Sequence, residues 1–226
     1  MNRILVPAVP EPGQRVEAGA EESHHLLHVQ RVARGALVQI SDGRGHVAVA
    51  RLVDVVSGRA GLLVEAWLPA TGTPRRVVVL GQPRGPALEE ALVLGTEAGA
   101  SAFLLVHAER TPPGGLRSER LERILRGAVT QCGRPDLPAL DGPLPLASAL
   151  LRVDTVERRL AAVGAAPLAA TPTALTLAIG PEGGWSPAET RALLDAGFHP
   201  AGIGPHILRT PTAVSAALAR AWSPLE

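Results

Sequence analysis

Glu182 and Arg209 are the residues whose type and setting could carry chemistry. Glu182 stands inside the turn Gly180-Pro181-Glu182-Gly183-Gly184, and Arg209 closes the run His206-Ile207-Leu208-Arg209. A carboxylate in a glycine turn can take a proton, and it can equally cap free N–H groups. An arginine is a permanent cation, able to stabilise a forming anion or to fix a phosphate. The glycines let the backbone turn tightly and approach a ligand with its N–H groups free to donate. An apolar pair with an arginine beside a helix start suits a nucleoside plus an anion.

Two strand-like runs must position these turns. Residues 174–179 and 201–203 are apolar, and each run ends at a glycine-containing turn. Each turn opens a helical pattern, Ser186-Pro187-Ala188-Glu189 in the first case and Thr210-Pro211-Thr212-Ala213 in the second. Ser186 and Thr210 fit N-caps with proline at the first helical position. Glu189, three residues after Ser186, completes a capping box. Parallel α/β sheets bind ligands at the carboxyl ends of their strands, so two such turns close together form one site.

The pair IGPEGGWSPAE and IGPHILRTPTA resembles the two signature loops of the SPOUT-class RNA methyltransferases. More specifically, it resembles the bacterial 16S ribosomal RNA (uracil-N3) methyltransferase family. Thr96-Glu97 with Gly99, Glu109-Arg110 and Gln131-Cys132-Gly133-Arg134 fall where that family has its TELG, ER and Q(S/C)GR elements, so the likeness covers nearly the whole chain. The chain departs from the family pattern at Arg84, Leu94, His206 and Pro211.

The resemblance implies an α/β protein with an N-terminal PUA-like β-barrel and a C-terminal SPOUT domain tied in a deep trefoil knot. It implies S-adenosyl-L-methionine as cofactor, bound in a bent form by Leu80, Gly81, Ile179, Gly180, Pro181, Glu182, Gly183, Gly184, Ile203, Gly204, Ile207, Leu208, Thr210, Thr212 and Ala213. Arg209 and Glu182 become the catalytic candidates. Arg31, Arg34, Arg84, Arg110 and Arg134 become the RNA contacts. The implied partner is 16S rRNA or the 30S subunit, with no DNA, and the site is expected at a homodimer interface.

At 226 residues the chain has room for one large or two small domains. Apolar residues make up 46 %, and no run reaches the length of a membrane span. The N-terminus carries no apolar stretch of signal-peptide length, and a cytoplasmic protein is expected. Cys132 is the single cysteine, which excludes an internal disulfide and a CxxC metal knuckle. All 22 basic residues are arginines, as a GC-rich coding bias would give. Aromatics at 2 % argue against a stacking platform for RNA bases.

Residues 1–70 read as a mostly β domain, with strands at 36–41, 46–56 and 61–67 between turns. Gly43-Arg44-Gly45-His46-Val47-Ala48 matches a dinucleotide pattern, but a strand rather than a helix follows it. His24 and His28, four apart, could share a helix face as zinc ligands do. No third ligand is near, and no metal is expected. That segment is expected to be a short helix with Leu26, Leu27 and Val29 facing the barrel. The Pro/Gly/Thr break at 68–74 separates a second domain, 74–226.

There the pattern changes to a buried strand at 77–80, a helix at 86–99 and a strand at 102–106, followed by an amphipathic helix from Leu121. Arg117, Arg120, Arg123 and Arg126 drift around that last helix as a solvated face. Two other readings stand beside the first. One is a SPOUT enzyme for transfer RNA or a ribose oxygen, which nucleoside mass spectrometry would identify. The other is a non-catalytic RNA-binding assembly factor, which would bind no S-adenosylmethionine.

Overall fold

Alternating apolar and polar residues build the first unit, and continuous apolar runs build the second. The computed structural model describes residues 2–69, 72–111 and 118–222. Ala70 and Thr71 of the inter-domain break, and Arg117 of the arginine row, lie outside them. The chain divides into one compact unit of Met1–Gly72 with Arg126–Leu137, and another of Thr73–Leu125 with Pro138–Glu226.

In the first unit, strands β1 (Arg3–Leu5), β2 (Arg15–Glu17), β3 (Leu37–Ser41), β4 (Val47–Val56) and β5 (Arg59–Leu68) form one sheet in the order β1-β3-β4-β5-β2. β4 and β5 are a long antiparallel hairpin. Its turn places Ser57 and Gly58 at φ 50 and 76, the backbone that a two-residue hairpin requires. Alternate residues Ala48, Ala50 and Leu52 of β4 join Ile4, Val38, Ile40 and Leu62 in the core. The Gly43–Ala48 segment turns directly into β4, with Gly43 and Gly45 at positive φ.

The histidine segment is irregular. Helix α1 (Ala20–His24) widens into a π-helical turn at His25–Val29. Leu26 is fully buried, but the widened turn carries Val29 outward to 60 % exposure, so Val29 does not face the core as expected. His24 and His28 do share a face, their rings 5.0 Å apart.

The second unit holds a six-stranded parallel sheet: β6 (Arg76–Gly81), β7 (Ala102–Val106), β8 (Ala139–Leu144), β9 (Glu157–Ala161), β10 (Leu175–Ile179) and β11 (His199–Ala201). Their order is β11-β9-β10-β6-β7-β8. Every residue of β6, β7 and β10 is buried, as strands covered on both faces must be. Helices α2 (Gly85–Glu97), α3 (Ser118–Cys132), α4 (Leu146–Leu150), α5 (Pro187–Asp195) and α6 (Thr210–Ala221) complete the order.

β11 lies two residues earlier than the apolar run suggested. Gly202 commits its N–H to the Ala166 carbonyl and its own carbonyl to the Leu168 N–H, which takes Ile203 out of the sheet. Arg76 interrupts the apolar rule at the start of β6. Its fully buried guanidinium donates to the carbonyls of Thr171, Thr173 and Ala221 and lies 5.9 Å from the Trp222 ring, which anchors the end of α6. On α3, Leu121, Leu125 and Val129 are buried while Arg120 pairs with Glu89 of α2. No helix among the described residues is long and apolar enough to cross a membrane.

Candidate active site

The carboxyl ends of β9 and β10 and the loop after β11 open on one cavity of about 320 Å³. The first glycine loop leaves β10 at Ile179, which pairs level with Leu80 of β6. It closes on itself through the Gly184 N–H to Pro181 carbonyl bond of 2.8 Å. Two glycines are required by geometry. A side chain on Gly81 would stand 2.5 Å from Pro181 Cδ, and Gly184 has φ +68. Gly183, one of the loop glycines expected to approach a ligand, faces the Arg110 side chain and has no positive φ.

Helix α5 begins as the spacing predicted. The Ser186 hydroxyl accepts from the Glu189 N–H at 3.3 Å, and Glu189 Oε2 accepts from the Ser186 N–H at 2.8 Å. Glu189 does more than cap, because its other oxygen accepts from the Glu109 N–H at 2.8 Å. The second cap differs from expectation. Arg209, in extended backbone, occupies the cap position, and Thr210 is the first helical residue. The Thr210 hydroxyl is therefore released from capping and donates to the Gly180 carbonyl at 3.2 Å, linking the two loops.

Of the residues expected at a cofactor, Ile179, Gly180, Pro181, Glu182, Gly184, Ile203, Gly204, Ile207, Leu208, Thr210 and Ala213 line this cavity. Leu80 is buried, Gly81 packs against Pro181, and none of Leu80, Gly81, Gly183 and Thr212 lines it. The lining also contains Leu160, Ala161, Ala162 and Val163 from the end of β9, with Trp185, Thr190 and His206. Of these, only His206 belongs to a loop expected at the cofactor. The apolar run LAAV before Gly164 is the signal that could have disclosed the β9 contribution.

Glu182 is the one carboxylate in the lining, and its Oε1 accepts from the Arg84 N–H at 3.2 Å. Arg209 is exposed, outside the lining, and without a side-chain partner among the described residues. Arg110 donates to the Gly183 carbonyl at 2.7 Å, and Arg84 is exposed at the start of α2. In the first unit Arg31 and Arg34 are exposed, Arg31 at φ 52, whereas Arg134 pairs with Asp136 at 2.5 Å.

The residues of this cavity fit a nucleoside cofactor. Ile179, Ile203, Leu208 and Ala213 give apolar walls, and the loop glycines expose main-chain groups. The Trp185 Nε1–H is buried without a partner among the described residues.

The family model for the RNA methyltransferase domain matches residues 72–222. The chain is 34 % identical to the ribosomal RNA small subunit methyltransferase E of Mycobacterium bovis, over 95 % of this chain and 88 % of that one. It is also 34 % identical to the protein of that name from Synechocystis, over 96 % of this chain and 77 % of the relative. Among solved structures, the ribosomal RNA small subunit methyltransferase E of Neisseria gonorrhoeae bound to S-adenosyl methionine superposes with a TM-score of 0.87. That match has 27 % identity and covers 97 % of this chain and 95 % of the other. The chain belongs to the SPOUT-class RNA methyltransferases, in the family of the small-subunit ribosomal RNA methyltransferases E.

Proposed function

We propose that this protein transfers a methyl group from S-adenosylmethionine to N3 of a uridine in 16S ribosomal RNA. The observation that carries the reading is the pair of strand-to-helix loops around one cavity, joined by the Thr210 to Gly180 bond. The family and its cofactor-bound structures support the class of reaction.

S-adenosylmethionine, when bound, supplies a methyl carbon already activated by its sulfonium. The chain then has to hold nucleophile and methyl in line and keep water away. The apolar lining performs the second task. Uracil N3 is a weak acid, so it needs a proton acceptor and a stabilised anion. Glu182, the carboxylate of the lining, takes the proton, and Arg209 stabilises the negative charge that develops. His206, one of the departures from the family pattern, contributes an imidazole to the lining.

On this reading residues 1–70 form a PUA-like barrel that positions RNA through Arg31 and Arg34, and residues 74–226 form the methyltransferase domain. Arg84, Arg110 and Arg134 add RNA contacts. A trefoil knot in the second domain belongs to the same reading. The enzyme works in the cytoplasm as a homodimer, which light scattering would test. The deciding assay incubates the chain with S-adenosylmethionine and unmodified small-subunit RNA, free or in the subunit, and analyses the nucleosides by mass spectrometry. 3-Methyluridine is expected, and a ribose-methylated product or none overturns the proposal.

A further inference from the structure

The first unit contains a second cavity, of about 520 Å³, that the methyl-transfer reading leaves without a task. Its lining includes Arg3, Glu22, Gln30, Gln39, Thr130 and Gln131, drawn from β1, α1, the end of the π-helical turn, β3 and the second half of α3. Gln131 and the neighbouring Gly133 belong to the Gln-Cys-Gly-Arg element singled out in the sequence.

Two polar side chains of this cavity are incompletely bonded. Arg3 directs Nε and Nη2 onto Gln39 Oε1, at 3.1 and 2.6 Å, but its Nη1 is buried with no partner. Gln30 is held by its Nε2 on the His25 ring at 3.0 Å, and its Oε1 is likewise buried and unpartnered. A buried polar atom without a partner is destabilising. Both residues line the cavity and hold these atoms inside its wall, which is therefore polar and incompletely bonded.

The charge balance says which kind of molecule. One arginine is offset by one glutamate, and the other polar lining side chains are mostly amides. A phosphate subsite gathers several cations, because the phosphate is an acceptor only. Amides with one guanidinium are instead the groups that read the edge of a nucleobase, which carries donors and acceptors together. Proteins recognise RNA sequence by drawing unstacked bases into such places. Bare backbone at Gly127 leaves the helix side of the cavity open, since a side chain there would meet nothing within 4 Å.

We propose that this cavity holds one unstacked base of the RNA substrate, so that the first unit reads sequence as well as gripping the backbone. This rests on the reading of the chain as an enzyme acting on RNA. Gly127→Phe tests it by filling the cavity while removing no bond. The substitution also replaces glycine inside a helix, so the fold should be retained, and the thermal melt checks this.

The probe is a fluorescent fragment of small-subunit RNA containing the uridine that the enzyme methylates, with single abasic substitutions placed through its flanking nucleotides. At one position the abasic site should weaken binding to the native protein tenfold or more and leave binding to Gly127→Phe unaltered. The variant should bind the intact fragment correspondingly less well and bind S-adenosylhomocysteine as the native protein does. If every abasic position costs both proteins equally, the cavity holds no base and the proposal falls. If the native chain methylates no RNA, the proposed function fails instead, and the same scan on the tightest-binding fragment still decides the cavity.

Discussion

The two loops around the cavity are built from similar residues and held in opposite ways. The first, residues 180–184, is tied on every side. Arg84 donates its N–H to Glu182, Arg110 its guanidinium to the Gly183 carbonyl, and Gly184 its N–H to Pro181, while a complete capping box follows. In the second, residues 203–209, no side chain makes a hydrogen bond or ion pair among the described residues, and Ile207 is 87 % exposed. One loop is a fixed mould, and the other presents a side chain to whatever arrives. That division suits a reaction in which the cofactor must be held rigidly and a large RNA must be met from outside.

The largest expected effect comes from the untied loop. Arg209→Ala should lower the rate at saturating RNA about a hundredfold, or ~3 kcal/mol, if the guanidinium stabilises charge forming on uracil. Cofactor affinity and melting temperature should hardly change, because Arg209 is exposed and lies outside the cavity lining. Raising the pH should partly rescue the variant by favouring loss of the N3 proton. A normal single-turnover rate would remove Arg209 from the chemistry. A raised RNA Michaelis constant with the rate preserved would leave it as a phosphate contact.

The tied loop should break differently. Gly81→Ala places a methyl group 2.5 Å from Pro181 Cδ and 2.9 Å from Pro181 N, where backbone rather than a flexible side chain must yield. Overpacking of this kind costs about 1–3 kcal/mol. The melting temperature should fall, and S-adenosylhomocysteine should bind roughly tenfold more weakly by calorimetry. Unchanged binding would mean that Pro181 moves freely and that the mould is not rigid.

Arg110→Met comes next, since it removes the 2.7 Å bond to the Gly183 carbonyl and spares the fold around it. A loss of about 1 kcal/mol is expected in cofactor binding, a five- to tenfold weakening. If RNA affinity falls and cofactor affinity does not, Arg110 serves the RNA and its bond to the loop is incidental.

How much of this contrast could be read in advance depended on whether the signal was local. The capping box at Ser186 and Glu189 was legible because both partners lie within four residues. The buried strands at 77–80, 102–106 and 174–179 were legible because strands covered on both faces must be apolar throughout. β9 was not, for its first residues are Glu157, Arg158 and Arg159. Their charges are absorbed by distant groups, Thr171 and Thr173 on Glu157 and the Ala196 carbonyl on Arg158. The ties on the first loop were equally hidden. Arg84 and Arg110 lie far from it in sequence, and an arginine by itself suggests an RNA contact rather than a loop tie. Thr210 was assigned one residue out of place because Ser/Thr-Pro marks a helix start without saying which residue is the cap.

Thr210 carries the smallest expected effect and bears most directly on whether the two loops are independent. Its hydroxyl makes the hydrogen bond that joins them, 3.2 Å to the Gly180 carbonyl, and the residue is 3 % exposed. Thr210→Val keeps the shape and removes the donor, so the loss should be that of one ordinary hydrogen bond, about 0.5–1.5 kcal/mol. For a chain of this size that shifts the melting temperature by roughly 2–4 °C. Cofactor affinity should weaken by a few-fold. The informative measurement is the double variant with Arg110→Met, because the two bonds hold the first loop from different sides. If the loops are separate bodies, the effects on cofactor binding add to within about 0.5 kcal/mol. A larger coupling would mean that the tied loop also fixes the untied one, and Arg209 would then owe its position to a carbonyl in the opposite loop.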